Sequence, residues 1–200
     1  MRLAAIALML LVAGCAREKP LDALASFPDG GGYDRSWKGS GSPEAIVFKG
    51  RTILAKGANG TYCCGFTFAA AMRTAASRGL LADKSVEQVQ RLQREWFGST
   101  PASREKQCVV AAQTLGIGRE VTLGDARPGD FVQFWRSSGS GHSVVLLRPI
   151  RRDGRLVGLE YRSSQGSTGG IGNRIEHFAD TDPKGPILRA RTYVCRLGAG

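Results

Sequence analysis

Hydrophobic residues recur at two different spacings along this chain, and the change falls near Gly118. Before it the spacing is helical. A turn signal, Gly57-Ala58-Asn59-Gly60-Thr61, precedes a predicted helix over residues 63–81, with Asn59 or Thr61 available as its cap. Val86, Val89, Leu92 and Trp96 predict a second helix over 85–97, capped by Asp83 or Ser85 and stopped by Gly98. Cys108, Ala111, Ala112 and Leu115 share one face of a third, over 103–115 with Gly116 closing it, which makes Cys108 a core residue. After Gly118 come short β-rich runs at 119–123, 130–136, 142–147, 156–163 and 187–197, divided by Gly- and Pro-containing turns. Upstream, Ile46-Val47-Phe48 and Thr52-Ile53-Leu54 read as short strands or a packed loop. Helices followed by consecutive strands predict an α+β domain with a mostly antiparallel sheet.

The two ends of the pattern differ from this domain. Arg2 followed by an apolar run over residues 3–12 and the small residues Ala13 and Gly14 has the order of a secretory signal. The run is about half of the ~20 residues a membrane-spanning helix needs. Val12-Ala13-Gly14-Cys15 resembles the lipobox of bacterial lipoproteins, which implies cleavage after residue 14 and acylation of Cys15. Stable anchoring takes more than one acyl chain, and lipoproteins of this kind carry several. Ala16 suits sorting to the outer membrane where the cell has two membranes. Residues 15–44, rich in Gly, Ser and Pro (Gly30-Gly31-Gly32, Gly39-Ser40-Gly41-Ser42-Pro43), read as a flexible tether, and 45–200 as the domain.

Composition sharpens this picture. Hydrophobic content of 42% is enough for a core. The formal net charge is +11, or +10 once Arg2 leaves with the signal, and the pI is about 10.0. In an exported protein that charge points to anionic envelope polymers and headgroups. The basic residues are scattered, without the aromatic–basic motif of RNA binders, so nucleic acid is not the expected partner. Removing Cys15 leaves Cys63, Cys64, Cys108 and Cys195. An oxidising compartment allows two bridges, but adjacent cysteines span only about 3.8 Å between Cα atoms, short of disulfide geometry. With no CxxC pair and no Cys/His cluster, a structural zinc site is not expected, and no cofactor is implied.

The chemistry concentrates in Thr61-Tyr62-Cys63-Cys64-Gly65-Phe66. A cysteine opening a helix meets unpaired N–H groups and the positive end of the helix dipole, which favour thiolate and can stabilise an oxyanion. A thiolate nucleophile needs a base, and the chain has two histidines. His142 follows the small loop Ser137-Ser138-Gly139-Ser140-Gly141 and opens the apolar run Ser143-Val144-Val145-Leu146-Leu147, which suits an imidazole facing a groove. His177, in Arg174-Ile175-Glu176-His177-Phe178, reads as a surface residue. Strand alternation puts Tyr161, Ser163 and Gln165 on one face, so Gln165 or Ser163 can reach His142 and hold its ring; Gln165 is favoured. Trp96 and Trp135 read as core or groove-wall aromatics, and Asp130 as a turn-fixing residue.

Three segments carry a resemblance. Tyr62-Cys63-Cys64-Gly65-Phe66 resembles the Asp-Cys-Ser-Gly-Phe/Leu element of the NlpC-like, papain-related cell-wall peptidases. Arg127-Pro128-Gly129-Asp130-Phe131 resembles their Pro-Gly-Asp segment, and Gly141-His142-Ser143-Val144-Val145 their Gly-His-Val strand, in the same order. The CHAP amidases share this architecture. The resemblance covers about residues 57–165. It implies a papain-like fold, Cys63 as nucleophile, His142 as base and Gln165 as third polar residue, acting on peptide or amide bonds of peptidoglycan stem peptides. Two positions depart from the pattern: Tyr62 replaces the acid, and Cys64 replaces the serine, which leaves Cys63 and Cys64 as alternative nucleophiles. The competing expectation is a non-catalytic envelope lipoprotein whose cysteines form disulfides and whose fold serves binding or assembly.

Overall fold

The structure, a computed structural model, describes residues 20–198. The expected signal sequence and the expected lipidation site Cys15 lie outside the described residues. In chain order, helix α1 (Pro20–Ala25) is followed by strands β1 (Gly30–Gly31), β2 (Ile46–Phe48) and β3 (Arg51–Leu54). Helices α2 (Cys63–Ser77), α3 (Val86–Trp96) and α4 (Cys108–Leu115) come next. Strands β4 (Gly118–Val121), β5 (Phe131–Arg136), β6 (Gly141–Arg152), β7 (Arg155–Gln165), β8 (Gly170–His177) and β9 (Ile187–Leu197) complete the chain. The architecture is α+β. A seven-stranded sheet in the order β1-β8-β7-β6-β5-β9-β4 has antiparallel neighbours throughout, and β2 and β3 form a separate hairpin.

The helices cover one face of the sheet. Phe66, Phe68, Trp96, Val109, Phe131 and Val145 are among the residues of the core between them, and Val132, Phe134, Val144, Leu146 and Tyr161 belong to a second core on the opposite face. Alternation along β5 and β6 makes this division, because consecutive strand residues point to opposite sides. Helix α3 starts where Ser85 accepts from Gln88 N–H and the Gln88 side chain accepts from Ser85 N–H, a reciprocal cap. Trp96 then anchors α3 to α2, its indole N–H donating to Thr67 Oγ1 at 3.1 Å.

Three expectations change. Helix α2 begins at Cys63 behind Tyr62, with neither Asn59 nor Thr61 as a side-chain cap. Helix α4 starts at Cys108 rather than 103, because Gln107 takes a left-handed φ of 32° that no helix continues through. Residues 20–44 differ most from a flexible tether. Leu24 and Phe27 are buried in the helix-side core, β1 extends the sheet, and Asp34 and Ser42 are buried. Gly41 serves close approach here, whereas Gly30, Gly31 and Gly39 take left-handed backbone with open space at the Cβ position. A Cβ on Gly41, whose φ is +56°, would lie 2.2 Å from the Tyr62 ring. We call residues 32–42 the strap. Its backbone is held by Asp34 N–H to Thr61 O (3.0 Å) and by Tyr62 N–H to Gly41 O (3.1 Å).

Candidate active site

Cys63, His142 and Gln165 meet at one end of the sheet and line a cleft of about 1130 Å³. Each arrives by a different local rule. Cys63 is the first residue of α2, where the opening N–H groups have no partner one turn back. His142 is the second residue of β6 and faces the sheet side away from the helices, beside Phe134 and Tyr161. Both rings meet the imidazole edge-on, with centroids 5.5 and 5.6 Å away, which fixes its plane. Gln165 ends β7. The β6–β7 register, with Val145 opposite Arg162, puts His142 beside Gln165 when continued three residues.

The Gln165 amide sets the tautomer. Its nitrogen donates to Thr168 Oγ1 at 2.9 Å and to the Gly172 carbonyl at 3.2 Å. Its oxygen is therefore the atom facing His142 Nε2, at 3.3 Å. An amide oxygen accepts only, so Nε2 carries the proton and Nδ1 is left as the basic nitrogen. His142 is buried and Cys63 half-buried, and the Cys63 sulfur is within hydrogen-bonding reach of the imidazole.

The paired cysteines are shifted in opposite directions. Their sulfurs are 3.9 Å apart. The Cys63 thiol is held well below its ordinary value, first by the hydrogen bond from Cys64, then by His142 and the Ser143 backbone, against the opposing effect of burial. The Cys64 thiol is pushed well above its ordinary value, first by the same bond to Cys63 and then by burial. The Cys64 S–H also reaches Gln107 Oε1 at 3.5 Å. Cys64 faces Ser143, whose hydroxyl donates to Gln133 Oε1 at 2.6 Å and lies 3.0 Å from Gln107 Oε1. The geometry thus gives the two cysteines different surroundings: Cys63 has the imidazole, and Cys64 a buried polar floor.

Other residues divide between site and scaffold. His177, expected on the surface, is half-buried and lines the same cleft. Tyr62, immediately before Cys63, has its hydroxyl donating to Gly39 O at 2.6 Å. Burial first, then the neighbouring cysteines and Asp34, push that phenol up to about 12, so it stays neutral and holds the strap. Asp130 accepts from Arg127 N–H and pairs with Arg196 through both carboxylate oxygens, which fixes the turn into β5. Trp96 is core, and Trp135 is pinned by its indole N–H to Glu105 O under the Arg191 guanidinium. All four described cysteines are free thiols, with Cys108 and Cys195 buried and in contact between α4 and β9. Among the described residues, no group of three or more His, Cys, Asp or Glu is arranged to hold a metal ion, and no helix is long and apolar enough to cross a membrane.

Sequence reasoning missed part of the cleft wall. Tyr33 and Trp37 come from the strap, and Arg136, Arg174 and Glu176 form the opposite wall. Glu176 is buried and takes both arginines, with Arg136 at 3.0 Å and Arg174 at 3.1 Å. Two aromatic residues within a Gly-rich segment were the available signal for the strap. Compared with protein-family models, curated proteins and solved structures, the chain matches none.

Proposed function

We propose that this protein is an exported, lipid-anchored cysteine hydrolase that cleaves peptide or amide bonds of peptidoglycan, with a papain-like arrangement of the NlpC or CHAP kind. The observation that carries the reading is the Cys63–His142–Gln165 array opening into a large cleft. His142 Nδ1 takes the Cys63 thiol proton, and the resulting thiolate attacks the substrate carbonyl, forming the carbon–sulfur bond of a tetrahedral oxyanion. The N–H groups of Cys63 and Cys64 at the start of α2 are the available oxyanion donors. Collapse breaks the carbon–nitrogen bond. The imidazolium of His142 gives its proton to the departing amine and leaves a thioester on Cys63. His142 then takes a proton from water, the hydroxide attacks the thioester, and the carboxylic acid leaves as Cys63 regains its thiolate. Gln165 holds the imidazole in the tautomer this sequence requires. A basic domain tethered by lipid at Cys15 stays close to the anionic wall.

The test is digestion of purified peptidoglycan by the wild type and by Cys63→Ala and His142→Ala, with new amine termini identified by mass spectrometry. New termini with the wild type and none with either variant support the reading. Intact peptidoglycan after prolonged wild-type treatment removes it.

A further inference from the structure

The residue most out of place in this fold is Trp37. Among the described residues it is the most exposed of the large hydrophobic side chains, at 68%, and it lines the candidate-site cleft. Its backbone is held at φ +50°, a region that non-glycine residues rarely adopt. The turn around it is built: Asp34 Oδ1 accepts from both the N–H (2.9 Å) and the hydroxyl (2.6 Å) of Ser36, and Ser36 Oγ accepts from Lys38 N–H (3.2 Å). The indole N–H donates to Tyr33 Oη at 3.1 Å. That bond occupies Trp37's polar atom, leaves its ring face open and frees the Tyr33 hydroxyl proton to donate outward.

The strap reaches both halves of the catalytic centre. Tyr33 bridges to Thr61, two residues before Cys63, and its ring lies beside Gly166, next to Gln165. A ligand on the Trp37–Tyr33 surface therefore sits next to the reacting carbonyl. Its chemistry is constrained by what surrounds it. Lys38 follows Trp37 in the strap and the exposed Arg35 reaches its guanidinium to Gly166, so this wall carries positive charge that disfavours an ammonium group, and a cation–π partner is a poor fit. A wholly apolar side chain gains little from a surface that leaves most of the ring in water. A pyranose ring has one C–H face to stack and a hydroxylated rim to take hydrogen bonds from Tyr33, Arg35 and Lys38.

We propose that Trp37 and Tyr33 form a carbohydrate platform, so that the protein takes its substrate with the glycan attached and cuts an amide close to the sugar. This rests on the peptidoglycan reading above and narrows it to the glycan-proximal end of the stem. The test compares turnover of a disaccharide-bearing muropeptide with that of the same peptide stripped of sugar, using the wild type and Trp37→Ala, and follows Cys63 alkylation by iodoacetamide in both proteins. The expected result is at least ten-fold faster wild-type turnover of the sugar-bearing substrate. Trp37→Ala loses about ten-fold on that substrate, mainly through KM, while Cys63 alkylation stays within two-fold. Equal wild-type turnover of the two substrates, or full activity of Trp37→Ala, overturns the proposal. A parallel fall in turnover and alkylation also overturns it, because Trp37 would then be supporting the catalytic centre. If the wild type cleaves neither substrate, it is the hydrolase reading that fails. Calorimetric binding of the N-acetylglucosaminyl-N-acetylmuramic acid disaccharide to Cys63→Ala, weakened ten-fold by adding Trp37→Ala, then still supports the platform, and absence of binding removes it.

Discussion

Gly65 is the third residue of α2, and the helix can begin where it does only because this residue has no side chain. A Cβ there would lie 2.2 Å from the Gly41 carbonyl carbon and 2.3 Å from the oxygens of Gly41 and Ser40. All three atoms are backbone, so no rotamer change relieves the contact. The strap cannot simply retreat, since Tyr62 N–H to Gly41 O and Gly57 N–H to Ser42 O hold it on both sides. Gly65→Ala must separate helix from strap by about 1 Å. Overpacking of this kind costs about 1–3 kcal/mol, and each strap hydrogen bond lost about 1 kcal/mol more. Alanine returns up to about 1 kcal/mol as the better helix former. The net is a destabilisation of about 2–3 kcal/mol, or about 4–12 °C in Tm for a domain of this size. The functional loss is larger: a ~1 Å displacement of a reacting group costs on the order of 100-fold in rate. Calorimetry and the alkylation rate of Cys63 measure the two effects separately. Gly124→Ala is the control, because its Cβ meets nothing closer than 3.8 Å and its Tm should not move. A Gly65→Ala protein with wild-type Tm and alkylation within two-fold would falsify the packing of strap against helix on which this reasoning depends.

Three further outcomes follow from the site and its supports. The Cys63 thiol is lowered by Cys64 and by His142, so its alkylation midpoint should lie below that of an ordinary thiol, and Cys64→Ala and His142→Ala should each move the midpoint to higher pH. Cys64, shifted the other way, should resist labelling until alkaline pH, and a Cys63 midpoint at the ordinary thiol value of ~8.5 would sink this account. Gln165→Leu leaves Nε2 of a buried imidazole without its acceptor and should lower turnover about 10–100-fold, since aligned acid–base catalysis is worth about 100-fold or more, with Cys63 alkylation affected far less. Asp130→Ala strands a partly buried Arg196 and should cost about 3 kcal/mol in urea unfolding; a loss under 0.5 kcal/mol contradicts the pairing.

Periodicity exposed α2, α3 and most of the sheet because those elements each bury one face. It failed at β8, where Gly170, Ile171 and Gly172 are buried and Asn173, Arg174 and Ile175 exposed in consecutive blocks. That strand pairs with β7 along its length and supports a cleft wall, so its pattern follows the cleft instead of a core. The strap was hidden for another reason. Glycine serves chains that must move and chains that must pass close to something, and composition alone does not separate the two uses. Gly41 is of the second kind, but the partner that makes it so is the Tyr62 ring, 21 residues away in sequence.

The site was legible as far as local rules reach. Alternation along the seventh strand put Gln165 on the face of Tyr161, and antiparallel pairing then carried it to His142. No local rule separates Cys63 from Cys64, since both open the same helix and share its dipole. The separation comes from strand parity. His142 and Ser143 are consecutive on β6 and point to opposite faces, and each cysteine meets one of them. The thiol beside the imidazole is held below its ordinary value, and the one beside the serine, 3.9 Å away, is pushed above it. The two adjacent thiols are therefore inequivalent, the lowered one set against the imidazole and the raised one against a buried serine.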